Sequence, residues 1–272
     1  MKRKSIFTLI FSLAVFLVLY GLSYSRVTSL RGDYVYRLHA AAMPLPPEVL
    51  NVLAGEFKGM VANYLLLEAA SFVGSNEDAT AEDWDAVARL IDQSNSLDPY
   101  FRQTYRLAQA TLAWKPGKAD KAIKILERSR KHLTWDWEPG FFVGFDYYYF
   151  LKDNRTASQK LMETSKIPGA PITLATLGSR LASKSGQTGA AIDFLVAIYE
   201  KTDDENTKEL IIQRIRALKG VAAIQAAMEI FKKRFGRPPE RLEELVDTAI
   251  IKELPQNPYD RPYKLRDGYV DF

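Results

Sequence analysis

Trp135-Asp136-Trp137-Glu138 sets two acids among two stacking rings, the residue types of a sugar-hydrolysing site. Glycoside hydrolysis needs its carboxylates about 5–5.5 Å or 6.5–9.5 Å apart, and adjacency in sequence does not supply that separation. Acids at the start of a helix favour the positive end of its dipole, so the pair is assigned to a helix start. Two histidines, His39 and His132, leave little for an imidazole metal site or a His-based triad. His132 suits the last turn of a helix. With no cysteine in the chain, disulfides, thiol catalysis and Cys-ligated zinc or iron–sulfur clusters are excluded. No phosphate-binding Gly-x4-Gly-Lys-Ser/Thr loop, dinucleotide fingerprint, His-Glu-x2-His or calcium loop occurs. Lys115-Pro116-Gly117-Lys118 and the formal sequon Asn154-Arg155-Thr156 are turns. The residues therefore predict no enzyme, no catalytic group, no metal and no cofactor.

Charge narrows the partner. The 272 residues carry a net charge of +4 from 37 basic and 33 acidic side chains. Lys2, Arg3, Lys4, Arg26 and Arg31 all precede the first acid, Asp33, so the remainder holds 37 − 5 = 32 basic and 33 acidic residues, a net of −1. A body without excess positive charge has no electrostatic footprint for nucleic acid.

Residues 5–25 read SIFTLIFSLAVFLVLYGLSYS, without a charge. About 20 apolar residues cross a hydrocarbon core, whereas the apolar region of a cleaved signal peptide runs about 7–15. The continuation past Tyr20 favours a retained anchor over residues 1–25; Gly21-Leu22-Ser23 keeps cleavage as the alternative. Lys2-Arg3-Lys4 on one side, against Arg26 and Arg31 on the other, favours the N-terminus inside. The expectation is a single-pass protein of the inner (cytoplasmic) membrane with its C-terminal body in the periplasm.

Residues 26–46 are expected as a linker ending in Met43-Pro44-Leu45-Pro46, and Pro47 can open a helix. A helical body follows over 47–235. Phe57, Met60, Val61, Tyr64, Leu65 and Leu67 have the spacing of an apolar helix face. Gly74-Ser75-Asn76 stops that helix. Thr80-x-x-Asp83 resembles a capping box for the next, in which Val87, Leu90, Ile91 and Leu97 run to a stop at Asp98-Pro99. Small–large–small triples then recur: Val87/Ile91/Ser94, Ala122/Leu126/Ser129, Ala157/Leu161/Thr164 and Ala190/Phe194/Ala197. Their spacings of 35, 35 and 33 match the tetratricopeptide period of about 34. Turns at 115–117, 152–154 and 184–187 divide the helices of each pair. Asn206 to Lys219 and Val221 to Phe235 are expected as two further helices. Over 236–272 the pattern predicts a short helix with Leu242, Leu245 and Val246 on one face. A hairpin follows, Tyr263-Lys264-Leu265 and Tyr269-Val270-Asp271 around Arg266-Asp267-Gly268. This segment is placed to cap the repeats, with Leu242, Leu245 and Leu254 against Ile224, Met228 and Phe231. The fold class is all-α: a tetratricopeptide-like helical-hairpin solenoid with an N-terminal transmembrane helix and a small C-terminal α/β cap.

Several phrases carry a resemblance. Leu97-Asp98-Pro99-Tyr100-Phe101, Trp137-Glu138-Pro139-Gly140-Phe141-Phe142-Val143-Gly144-Phe145, Tyr148-Tyr149-Phe150-Leu151-Lys152-Asp153 and Ile167-Pro168-Gly169-Ala170-Pro171 resemble membrane-anchored tetratricopeptide-repeat proteins of Gram-negative bacteria. So does 55–65, and the resemblance runs over residues 45–272. It implies an envelope protein without a settled activity. Phe235-Gly236-Arg237-Pro238-Pro239 to Gly268 resembles the end of major pseudopilins, a phrase that also ends other tetratricopeptide proteins. Phe7-Thr8-Leu9 lacks the prepilin signal, because Ile6 and Ile10 stand where a Gly and a Glu belong.

The first helix of each tetratricopeptide pair lines the groove. Counting back from Ala122 and Ala157 puts Thr111, Trp114 and Lys115, then Phe142, Asp146 and Tyr149, on that face. Aromatics among a few polar groups suit a bound peptide or helix. The expected partner is another protein or peptide, and the expected role is an interaction scaffold of an envelope assembly. The alternatives are an accessory subunit of a secretion or type IV pilus-like machine, and an acid-based hydrolase using Asp136 and Glu138.

Overall fold

The computed structural model describes residues 2–41, 45–75 and 79–272, with the side chains of 2–10, 31–41 and 75 left undescribed. Met43, Pro44 and Asn76, assigned above to a linker and a helix stop, lie outside the described residues, as does the side chain of His39. The chain is mostly helical and divides into two units, Met1–Leu112 and Ala113–Phe272.

The first unit opens with α1 (Lys2–Ala41). Within it, Phe11–Leu30 is long and apolar enough to cross a membrane, and none of that stretch is buried. The expected linker is thus helical as far as Ala41, because Arg26 to Ala41 contains no proline and a single glycine, too little to end a helix already running. Pro46 is extended, and Pro47 begins α2 (Pro47–Ala54), a position where its missing N–H costs nothing. A tight turn over Gly55–Phe57 leads to α3 (Lys58–Ser75), α4 (Ala81–Leu97) and α5 (Arg102–Thr111).

At the head of α4, the Thr80 hydroxyl accepts from the Asp83 N–H at 3.3 Å and the Asp83 carboxylate accepts from the Thr80 N–H at 2.9 Å. Leu50, Ala54, Ala62, Leu65, Leu66, Ala69 and Phe72 supply the buried side of α2–α3, and Val87, Leu90, Ile91 and Leu97 that of α4. The buried Ser94 hydroxyl donates to the Ala62 carbonyl at 2.8 Å. The expected face of α3 divides: Leu65 is buried, while Phe57, Met60, Tyr64 and Leu67 are 58–68% exposed. The helix is apolar around most of its girth, so periodicity alone picked residues from two sides.

In the second unit α6 (Ala119–His132), α7 (Glu138–Tyr149), α8 (Asn154–Thr164), α9 (Ile172–Lys184), α10 (Thr188–Tyr199) and α11 (Glu205–Phe235) each pack on the next. Ala122, Leu126 and Ser129 are fully buried, as are Ala157 and Leu161. The fourth triple is one residue out of register, since Ala191 and Leu195 are buried whereas Ala190 and Ala197 are exposed. Counting from the helix caps explains the slip. Lys118, Asp153 and Gln187 are the cap residues of α6, α8 and α10, and the first buried alanine of each triple lies four residues on, at 122, 157 and 191. Immediately before those caps, Gly117, Lys152 and Gly186 all have positive φ, 68°, 56° and 81°. A positive-φ residue therefore precedes the cap in all three loops, although at Lys152 it is a residue with a Cβ. Glu127 on α6 ties across to α8 through Lys160 at 2.7 Å and binds Arg130 at 2.9 Å. Burial pushes the Glu127 carboxyl up, but hydrogen bonds from these two cations outweigh it and hold the group below its ordinary value.

Two expected helices, divided at Gly220, are the single 31-residue α11. Gly220 is a notch and not a break: a Cβ there would overlap the Tyr263 ring, whose Cζ lies 2.7 Å from the place it would occupy. The Tyr263 hydroxyl donates to the Ala217 carbonyl at 3.0 Å in the buried interior. Beyond α11 the expected helix shrinks to four residues, α12 (Glu244–Asp247), with Leu242 and Leu245 still buried. Strands β1 (Lys264–Arg266) and β2 (Tyr269–Asp271) form an antiparallel hairpin turned by Asp267 and Gly268, both at positive φ.

The segment after Gly236 has no separate core. Leu242, Leu245, Leu254, Tyr263, Val270 and Phe272 share one cluster with Ile224, Met228 and Phe231. Arg180 on α9 pairs with Asp271 at 2.6 Å. The Arg214 guanidinium of α11 lies over the Tyr259 and Phe272 rings at 5.2 and 5.1 Å, where burial pulls it below its ordinary value.

Gly220→Ala is a sharp test of this joint. Alanine in a helix interior gains about 1 kcal/mol over glycine, but overpacking costs about 1–3 kcal/mol, so the variant should be less stable in urea unfolding. In a Tyr263→Ala background the same substitution should stabilise the chain.

Candidate protein-binding surface

The surface is built on α7. Asp136 accepts from the Glu138 N–H at 3.1 Å, and Pro139 occupies the first turn, so the acids expected at a helix start do sit at one. Asp136 is buried. The Trp-Asp-Trp-Glu stretch thus serves to begin α7.

Helical geometry, about 3.6 residues per turn, then sorts the side chains. Gly140, Val143 and Gly144 face inward, where the two glycines leave room for α8. A Cβ on Gly144 would lie 2.6 Å from Leu161 Cγ, and one on Gly140 would lie 3.0 Å from Thr164 Cγ2. Trp137, Phe141, Phe145 and Tyr149, four apart, form a row on another side. Their ring centroids are separated by 6.3, 6.3 and 5.3 Å, with Phe145 and Tyr149 stacked at 8°. Beyond the end of the helix, Phe150 stands edge-on to Tyr149 at 5.0 Å. Trp114, from the turn before α6, closes the row at 5.7 Å from Tyr149 and 5.2 Å from Phe150. The Lys152 ammonium sits over Tyr149 at 5.0 Å from the ring centre. Trp114 is 56% exposed and Tyr149 45%, while Phe141, Phe145 and Phe150 are half-buried. The row is anchored at its middle and open at the Trp114–Tyr149 end.

Of the six residues expected in a groove, Trp114 and Tyr149 come together on this surface. Phe142 is half-buried, its ring 5.3 Å from Phe141. Lys115 is half-buried in the turn, where its carbonyl accepts from the Lys118 N–H at 3.0 Å. Asp146 is a correction: it is fully buried, because one residue along a helix is a rotation of about 100° and Asp146 follows Phe145 off the open side. Thr111 belongs to the first unit, half-buried, with its hydroxyl donating to the Leu107 carbonyl at 2.6 Å. Trp137, Phe141, Phe145 and Phe150 are the members that the repeat register does not reach. The spacing 137, 141, 145, 149 was the available signal.

Other candidate chemistry does not converge. His132 Nδ1 is 2.9 Å from the Arg128 carbonyl at the end of α6. Among the described residues no group of three or more His, Asp or Glu could hold a metal ion. A cleft of about 420 Å³ beside α11 mixes Glu205 and Glu209 with Lys208 and Arg216, and Lys208 is already paired with Glu205 at 2.9 Å. No protein-family model, curated protein or solved structure matches the chain, so the surface is read from its own geometry.

The row separates two effects that alanine substitution should resolve. Phe145→Ala empties a half-buried site held by three rings and should cost about 2–3 kcal/mol. Trp114→Ala loses mainly ring contacts, worth about 1 kcal/mol. Equal losses in thermal and urea unfolding would show that Trp114 is a core residue.

Proposed function

We propose that the chain is a membrane-anchored extracytoplasmic scaffold of the tetratricopeptide type, which holds another protein or peptide against the aromatic row of α7. It is a binding protein and not an enzyme. The observation that carries the reading is the Trp114–Tyr149 end of the row, two large exposed rings in mutual contact on a rigid, half-buried base. Preorganised aromatics of this kind bind with little ordering cost, and interface hot spots are enriched in Trp and Tyr. Support for the repeat type comes from the recurring burial at 122, 157 and 191 and the recurring positive-φ loop residue before each cap. The segment after Gly236 serves as the cap of the repeats in this reading, which its shared core with α11 favours.

Support for the anchor comes from the unburied apolar stretch of α1 and from Lys2-Arg3-Lys4 before it. A reporter fused after Phe272 should be active only outside the cytoplasm, and carbonate washing should leave the protein in the membrane. A reporter active in the cytoplasm overturns the orientation.

Crosslinking in native membranes followed by purification of the full-length chain should capture a partner. Trp114→Ala and Tyr149→Ala should each lose it while the melting curve moves little. Undiminished capture by both variants would overturn the reading.

A further inference from the structure

Along α3, Phe57, Met60, Tyr64 and Leu67 recur at spacings of three, four and three residues, with Phe57 at the helix entrance. This is the alternating pattern of a helix-pairing seam, with a period of 3.5 residues. Its four side chains are exposed, and on α2, shortly before the helix entrance, Val52 and Leu53 are 80% and 70% exposed. The opposite side of α3 is already occupied by packing within the first unit, through Ala62, Leu65, Leu66, Ala69 and Phe72. The seam stands on that packing alone and does not rest on the reading of α7.

Its size and chemistry select an occupant. The six exposed side chains of α2 and α3 together present on the order of 800 Å². About 800 Å² is also what one partner contributes to a stable standard-size interface. No seam position is charged, and the only charged residues between Gly55 and Ser75 are Glu56, Lys58 and Glu68, the last of these buried. A bilayer is the poorer occupant, because helices that lie on lipid carry Lys and Arg along the polar face, and here Lys58 is alone. A different protein would be chosen by complementary charge at the flanks, which this seam lacks. An uncharged stripe is complementary to itself, and a two-fold axis sets the same patch against its copy without repulsion. We propose that a second copy of this chain covers the seam, the two α3 helices pairing side by side in a homodimer.

The absence of native cysteine makes the test direct. In the double variant Met60→Cys/Tyr64→Cys the two thiols stand on either side of the seam's middle, so each meets its own equivalent in a parallel pair and the other thiol of the copy in an antiparallel one. In the full-length chain in native membranes, mild oxidation should convert this variant into a covalent dimer. Lys58→Cys, on another side of α3, should stay monomeric. In detergent, the mass of the unmodified chain should be that of two copies. A Phe57→Asp/Leu67→Asp variant should fall to one copy with its helical circular dichroism intact. The proposal is overturned by equal crosslinking at Lys58→Cys, by a one-copy mass without crosslinking, or by an adduct formed only with a different protein. It is equally overturned if Met60→Cys in a monomeric chain is shielded from maleimide by phosphatidylcholine vesicles.

Discussion

The second unit depends on how closely α7 and α9 approach α8. Gly140 and Gly144 on α7 and Gly178 on α9 all meet side chains of α8, where any Cβ would overlap Thr164, Leu161 or Met162. Glycine inside a helix is unfavourable by about 0.5–1 kcal/mol relative to alanine, so three of them on the faces of two neighbouring helices mark a constraint of shape. Leu161 is wedged from both sides and fully buried. That contact sets the roll of α7 about its own axis, and the roll decides which residues of α7 face water. With the glycines inward, the aromatic row at 137, 141, 145 and 149 is carried to one flank, half-buried along its length and open at Tyr149. The exposed aromatic surface of α7 is a by-product of how α8 is gripped.

The two units expose apolar surface in different ways. On α7 the rings lean on one another, so each covers part of its neighbour and the open area is confined to Trp114 and Tyr149. On α3 the exposed side chains are aliphatic, thioether and aromatic residues spaced by helical turns. The first arrangement is already assembled, ring against ring. The second is a line of separate knobs that become ordered by interdigitation with another helix.

Much of the local structure was legible because it is decided by neighbours in sequence. The Thr80/Asp83 box, the stop at Asp98 and the hairpin around Asp267-Gly268 each follow from side chains that bond to, or relieve strain in, adjacent backbone. The expectations that failed needed information from distant residues. Gly220 resembles a helix end until Tyr263, 43 positions later, fills the notch it leaves. α3 is apolar on two sides, and only packing against α4 decides which side is core. Asp146 and the Ala190 triple were each misplaced by one residue, which on a helix is enough to exchange inside for outside. Counting from the caps would have repaired the triple. Nothing within α7 announces that its glycines set the close approach to α8 while Trp137 and Phe141 pack beside them against the cluster of Ala157, Leu161, Leu174 and Leu181.

The continuity of α11 has an evolutionary consequence. Its first half gives Ile211, Ile215 and Leu218 to the core and meets the C-terminal segment through Arg214 and Ala217, and its second half gives Ile224, Ala227 and Phe231 to the same core. An unbroken helix keeps these two sets in phase, since a residue gained or lost between them would turn one against the other by about 100°. Lineages descending from this chain are therefore free to lengthen or shorten the loops at Gly117, Lys152 and Gly186. The stretch between Leu218 and Ile224 does not accept a change in the number of residues, and Gly220 within it does not accept a side chain.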